Sequence, residues 1–89
     1  MSWYVYLLRC ADETFYCGIT KDLDRRLSEH NNNNNKGARY TRGRRPVRLI
    51  YQEQTLNRSL ASQREHQLNR LSHEQKLELI NKQNKAMHD

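Results

Sequence analysis

Aromatic and aliphatic residues fill every position from Trp3 to Leu8, leaving no polar alternation towards solvent. Such a run reads as a strand buried on both faces, hence central in its sheet. Ala11-Asp12-Glu13 is a polar turn, and Thr14-Phe15-Tyr16-Cys17 follows as a second strand that Gly18 is expected to stop. The two make a β-hairpin. If the turn has three residues, Cys10 faces Thr14, Tyr6 faces Gly18 and Leu8 faces Tyr16. Even-numbered positions then share one face, which gathers Tyr4, Tyr6, Tyr16 and Gly18.

Past Gly18 the apolar spacing lengthens to that of helices. Thr20 is a suitable N-cap for a helix over Lys21 to His30, with Asp22 and Asp24 in its first turn and Leu23 and Leu27 as its apolar stripe. Arg26 and His30 are four apart and emerge on one face. Asn31 to Asn35 form a low-complexity run expected to be a flexible loop. Val47 to Tyr51 has strand character, with Pro46 at its edge. Asn57 or Ser59 caps a second helix whose apolar side holds Leu60, Ala61, Leu68 and Leu71. Arg64 lies near the centre of that stripe, so it must snorkel, pair or indicate a different helix phase. Ser72-His73-Glu74-Gln75 is a capping box for a third helix carrying Leu77 and Ile80, and the chain after Asn81 is a polar, frayed tail. The order β-β-α-β-α-α describes an α+β domain with a small three-stranded sheet flanked by helices. A single domain over residues 1–82 and a polar tail over 83–89 account for the chain, without internal repeat or linker.

At 89 residues there is room for one core, and 35% hydrophobic against 29% charged residues makes that core thin. Sixteen Lys+Arg against ten Asp+Glu give a net charge of +6, which points to a polyanionic partner, nucleic acid first. The run from Trp3 to Leu8 is far too short to span a bilayer and has no basic region before it, so the expected compartment is the cytoplasm, with no membrane role. Cys10 and Cys17 lack CxxC spacing, and the register places Cys17 opposite Leu7, away from Cys10. Zinc and a disulfide are both disfavoured. His30, His66, His73 and His88 form no HxxxH or HExxH pattern, and no Walker, GxSxG or Rossmann motif is present.

Three features could carry chemistry. Lys36, Arg39, Arg42, Arg44, Arg45 and Arg48 fall within thirteen residues that contain no acid, with Gly37 and Gly43 for close backbone approach and Tyr40 and Thr41 as further donors. This segment is either a phosphodiester cradle or a solvated loop. The cradle reading is favoured, because unpaired like charges repel one another unless a polyanion relieves them. Five of the seven aromatic residues are tyrosines. Tyr4 and Tyr6 suit a core edge, whereas Tyr6 and Tyr16 together beside a guanidinium and a histidine could hold a water for attack. Glu65 flanks an apolar stripe, which suits either an ordinary surface carboxylate or a metal ligand.

Together these pieces resemble the GIY-YIG nuclease family, in its small stand-alone bacterial branch. Tyr4-Val5-Tyr6 stands where the family has its first tripeptide and Tyr16-Cys17-Gly18 where it has its second. Thr20 to Leu27 is similar to the family's first helix with its functional arginine at Arg26, and His30 follows where members carry His or Tyr. Gly37 to Arg44 and Ala61 to Leu71 extend the likeness. Tyr4 and Cys17 replace a Gly and an Ile of the name motifs, and Ile19 stands where some relatives have Lys. The resemblance implies an antiparallel three-stranded sheet and a one-metal endonuclease that hydrolyses DNA with weak sequence preference, in repair or recombination. It implies Mg²⁺ (or Mn²⁺) on Glu65, Tyr6 as general base or water-positioning group with Tyr16 assisting, Arg26 stabilising charge at phosphorus, and His30 orienting or moving a proton. The expected partner is DNA, with branched and damaged forms, RNA and oligomeric state left open. A non-catalytic nucleic-acid-binding module on the same scaffold is the alternative.

Overall fold

The computed structural model describes residues 2–88. Met1 and Asp89, the outer ends of the expected domain and tail, lie outside the described residues, as do the side chains of residues 86–88. Strands β1 (Trp3–Arg9), β2 (Phe15–Thr20) and β3 (Arg48–Thr55) pair antiparallel in the order β2-β1-β3. The apolar run is thus the central strand, with Val5, Leu7 and Leu8 at most 1% exposed.

The hairpin has the register that a three-residue turn dictates, with Tyr6 opposite Gly18, Leu7 opposite Cys17 and Leu8 opposite Tyr16. Cys10 N–H donates to Thr14 O at 2.8 Å, and Glu13 closes the turn in the left-handed region at φ 70°. Gly18, expected from its breaker character to end β2, does not. The strand continues to Thr20, because pairing with β1 outweighs glycine's local preference.

Helix α1 (Leu23–Asn32) and the single turn α2 (Arg39–Arg42) lie on one side of the sheet, over Tyr6, Leu8, Cys10 and Val47. Helices α3 (Arg58–Asn69) and α4 (His73–His88) lie on the other, over Val5, Leu7, Cys17 and Tyr51. In β3 the pairing shifts so that Leu7 meets Tyr51 and Leu8 meets Leu49. This bulge leaves Ile50 extra and lets Ile50 and Tyr51 both pack towards α3 and α4. Cys10 and Cys17 are buried free thiols in the two separate layers.

Helix boundaries differ from the sequence expectation for local reasons. Asp22, not Thr20, is the N-cap of α1: its carboxylate accepts from Arg25 N–H at 3.0 Å, while Thr20 ends β2 and its hydroxyl accepts from Asp22 N–H. Asn57 caps α3, and Ser72 and Gln75 exchange both bonds of the capping box. Leu60, expected on the apolar side of α3, is 42% exposed, since Ala61 and Leu68 alone of that helix reach full burial. Arg64 pairs with Glu53 through Nε and Nη2 at 2.9–3.1 Å, so its place near the stripe is satisfied by a β3 carboxylate. The expected frayed tail is helical to His88, and the Gln83 amide donates to Gln52 O at 2.7 Å along the free edge of β3.

The asparagine run is also more structured than a flexible loop. Asn31 and Asn32 complete α1. Asn33 accepts from the N–H groups of Asn35 and Lys36, and Asn31 closes a two-way pair with buried Val47: its amide donates to Val47 O at 3.0 Å and accepts from Val47 N–H at 2.8 Å. Asn31→Ala therefore leaves two backbone groups without their partner and is expected to lower stability by about 1–3 kcal/mol in urea unfolding. Asn32→Ala, one residue on and exposed, is expected to change it by less than about 0.5 kcal/mol.

Candidate active site

The site begins at the hairpin. Tyr6 is 2% exposed, and its ring lies across the strand over Gly18. A methyl group at Gly18 would come within 2.5 Å of Tyr6 Cζ and closer still to the hydroxyl, so only glycine leaves the phenol its place. Tyr16, on the same face of β2, meets the His30 ring edge-on at a centroid distance of 5.2 Å. Helix α1 supplies His30 and Arg26 one turn apart, as four-residue spacing requires.

His30 has no exposed surface and is held from both sides. Thr41 Oγ1 donates to Ala38 O at 2.9 Å and so accepts from His30 Nδ1 at 3.0 Å. Nε2 is then free to accept the Tyr6 hydroxyl proton at 2.9 Å. A 3.4 Å approach of Ala38 N–H to Nδ1 would need the other tautomer; the three shorter contacts set the direction Tyr6 to His30 to Thr41 to Ala38. Arg26 donates to Glu29 Oε1 at 3.0 Å and to Lys36 O at 2.6 Å, which fixes its guanidinium beside the two tyrosines.

The electrostatics keep this chain neutral. Burial, and next the Arg26 charge, hold the His30 imidazole down at about 4, so it is uncharged at neutral pH. Burial pushes the Tyr6 phenol up, with a lesser push from Tyr16 and an opposing pull from Arg26. Tyr16 is raised by burial too, and Glu65 adds to that while Arg26 opposes it. The imidazole is thus a vacant proton acceptor, and the phenol holds its proton until an anion or cation in the site rebalances the field.

Glu65 projects from α3 near Tyr16 and Cys17, whose groups its charge raises. It is half-buried, burial raises its own carboxyl, and it makes no hydrogen bond or ion pair with the described residues. A part-desolvated carboxylate without a partner suits a cation. No cluster of three or more His, Cys, Asp or Glu occurs among the described residues, which argues against an all-protein cage. Mg²⁺ is commonly held by one or two carboxylates with waters and phosphate oxygens completing its shell, so the donor set fits such an ion.

The basic segment is only partly free. Arg45 donates to His30 O, Asn33 O and the Asn34 side chain, closing the C-terminus of α1. Arg42 donates to Asn34 O. Arg44 pairs with Asp12 at 3.0 Å and stacks on Tyr40 at 3.9 Å, and Tyr40 in turn stacks on Tyr16 at 5.8 Å. Thr41, expected as a surface donor, is fully buried and orients His30. Gly37 is required by Asn33 O and Glu29 O, each 2.7 Å from where its Cβ would sit, whereas Gly43 is open. Lys36 and Arg39 are exposed, and their side chains have no partner among the described residues. Reading the sequence missed the roles of Gly18 and Thr41, though the hairpin register, which sets Tyr6 against Gly18, carried the signal for the first.

Residues 2–84 match the family of the GIY-YIG catalytic domain. A UPF0213 protein of Desulfotalea psychrophila is 51% identical over 79 residues, covering 89% of this chain and 71% of its own. One from Natronomonas pharaonis is 48% identical over 77 residues, covering 86% and 88%. The solution NMR structure of the UPF0213 protein BH0048 from Bacillus halodurans superposes with a TM-score of 0.57 at 40% identity, over 91% of this chain and 84% of that one. The protein EF2693 from E. faecalis gives 0.60 at 40% identity, over 99% and 88%.

Two outcomes follow from this packing. Unfolded, His30 takes up a proton below about pH 6.5, but folded it does so only near pH 4, so stability falls as pH drops through that interval. Between pH 7.5 and 5 the loss is expected to be about 2 kcal/mol by urea unfolding and largely absent in His30→Gln. Gly18→Ala is expected to cost about 1–3 kcal/mol and to shift the His30 ring signals in an NMR spectrum, because the Tyr6 hydroxyl must leave Nε2.

Proposed function

The chain belongs to the GIY-YIG family of nuclease domains, and from that premise we propose that it is a divalent-metal-dependent endonuclease that hydrolyses DNA phosphodiester bonds with weak sequence preference. The observation that carries the proposal is the hydrogen bond from buried Tyr6 to neutral His30, set beside Arg26, Tyr16 and an unpaired Glu65.

In this reading Tyr6 directs its remaining oxygen lone pairs at a water. As the water attacks phosphorus, the phenol oxygen accepts the water proton and releases its own to His30 Nε2, a transfer over an existing 2.9 Å bond. Thr41 holds the imidazole in the tautomer that leaves Nε2 open. The resulting imidazolium is opposed by Arg26, yet the phosphodiester anion lying against Arg26 cancels much of that opposition. Arg26, held in place by Glu29 and Lys36 O, stabilises the charge that grows on the phosphoryl oxygens. Glu65 would hold Mg²⁺ or Mn²⁺, which when bound polarises the phosphate and stabilises the leaving oxygen. Tyr16 closes the His30 face against solvent.

Lys36, Arg39 and Arg48 are the exposed cations of the basic segment whose side chains have no partner among the described residues, and Tyr40, stacked between Arg44 and Tyr16, keeps an exposed edge beside them, while Arg42, Arg44 and Arg45 shape the loop that presents them. So small a chain has little surface for reading bases, so shape is a better discriminator than sequence, and branched or damaged duplexes are the substrates we put first. Repair or recombination in the cytoplasm is the matching role. No helix among the described residues is long and apolar enough to cross a membrane.

The test is nicking of supercoiled plasmid and branched duplexes with Mg²⁺, Mn²⁺ or EDTA. Cleavage is expected with metal, to be abolished by EDTA, and to fall by at least about 100-fold in Tyr6→Phe and in Glu65→Ala with folding intact by circular dichroism. A wild-type protein inert on duplex, branched and single-stranded DNA would overturn this reading. Tight, salt-sensitive binding in that case would leave the second one, a non-catalytic module, which the field that holds Tyr6 and His30 neutral would suit.

A further inference from the structure

A second concentration of positive charge lies away from the basic segment. Lys21 follows β2, Arg25 and Arg26 lie in the first turns of α1, and Arg58 opens α3, and together with Trp3 they line an open groove of about 480 Å³. These residues come from three stretches of the chain, at Trp3, Lys21–Arg26 and Arg58, so no single run in the sequence announces them. Lys21 Nζ lies 5.3 Å and Arg58 Cζ 5.7 Å from the centroid of the Trp3 ring. Trp3 packs against the core of the α3 and α4 side, so the ring is a fixed mount for both cations.

The groove is poor in counter-charge. Lys21 and Arg58 form no ion pair among the described residues, and both are exposed. Arg25 reaches Glu29 only at 3.9 Å, and that carboxylate already accepts from Arg26 at 3.0 Å. Asp22, at the mouth of α1, commits its carboxylate to Arg25 N–H. No carboxylate lines the groove itself. Two cations mounted on one aromatic ring, in a groove that no acid lines, keep their repulsion until an anion arrives.

Arg26 belongs to both places. Its guanidinium lines the groove and also acts on the Tyr6 and Tyr16 phenols. An anion filling the groove is therefore continuous with one at the tyrosines, as the successive phosphates of a single strand are. We propose that the Trp3 groove is a track for the DNA strand adjoining the scissile phosphate, in which Lys21 and Arg58 each neutralise one backbone phosphate, Arg25 flanks them, and Trp3 is the positioning residue that holds the two cations. The proposal rests on the nucleic-acid reading of the adjoining site, but it concerns binding and needs neither metal nor cleavage.

The experiment measures fluorescence anisotropy of a labelled duplex in EDTA across a series of NaCl concentrations. For wild type, the logarithm of the binding constant falls linearly with the logarithm of salt, by about 0.9 for each phosphate neutralised. Lys21→Gln with Arg58→Gln is expected to reduce that slope by about 2. The charge-preserving pair Lys21→Arg with Arg58→Lys is expected to keep it, as is the distant α4 pair Lys82→Gln with Lys85→Gln. Urea midpoints of all three variants establish that they are folded. If the groove pair binds with the wild-type slope, or if its loss is matched by the α4 pair, the track is overturned whatever the cleavage assay shows. A wild-type protein that fails to bind DNA in EDTA overturns it as well. A reduced slope in a protein that cleaves nothing upholds the track and removes the nuclease reading instead.

Discussion

The pairing of β1 with β2, which sets Tyr6 directly across from Gly18, is the constraint on which the rest of the molecule depends. A slip of one residue would turn Tyr6 and Leu8 towards α3 and α4 and expose Val5 and Leu7 to the other layer, exchanging the two cores. It would also put a side chain where the Tyr6 ring now lies. The turn defines this register through Cys10, Thr14 and the left-handed Glu13, and Ala11 N–H then docks the turn on Arg44 O at 2.8 Å. The same few hydrogen bonds thus align the central strand and bring the basic segment back against the hairpin.

Around that strand the helices deliver chemistry by simple periodicity. One turn of α1 separates Arg26 from His30, and Leu23 and Leu27 on the neighbouring stripe anchor the helix to the even-numbered face. Glu65 arrives from the opposite layer on α3, where buried Ala61 and Leu68 fix the helix on the odd-numbered face. The proposed site therefore draws its residues from both layers of the sheet. Buried Tyr6 and His30 and half-buried Tyr16 remain neutral, and the two charged groups nearby have opposite signs, Arg26 held by Glu29 and Lys36 O and Glu65 without a partner among the described residues.

Positive charge is used in three ways. Arg45 and Arg42 donate to the carbonyls that end α1 and follow it, a structural use that favours guanidinium for its fork of donors. Arg44 and Arg64 are neutralised by Asp12 and Glu53. Lys21, Lys36, Arg39 and Arg58 are exposed without an acid among the described residues. A net charge of +6 therefore does not identify the cations available to a polyanion, because the capping and paired groups contribute equally to the count.

How much of this was legible in the sequence follows from the range of the forces involved. The central place of the Trp3–Leu8 strand, with Val5 to Leu8 buried and Trp3 and Tyr4 half-buried, the hairpin register, the capping box at Ser72 and the placement of Arg26 and His30 one turn apart on α1 are set by apolar run, turn length and four-residue spacing, all of which are local. The proposal that Tyr6, Tyr16, Arg26, His30 and Glu65 act as one constellation came from resemblance, since spacing alone does not tell a core tyrosine from a reactive one. What only the tertiary structure decided was which groups are consumed by their neighbours. Asn31 looks like any other asparagine of its run until Val47 comes to pair with it, and Thr41 and Arg45 look like surface donors until α1 turns His30 and its last carbonyls towards them. Trp3, Lys21 and Arg58 become one groove only when the start of β1, the end of β2 and the start of α3 meet. Periodicity is a property of neighbours along the chain, whereas hydrogen-bond satisfaction and charge compensation belong to neighbours in space, and the fold alone determines those.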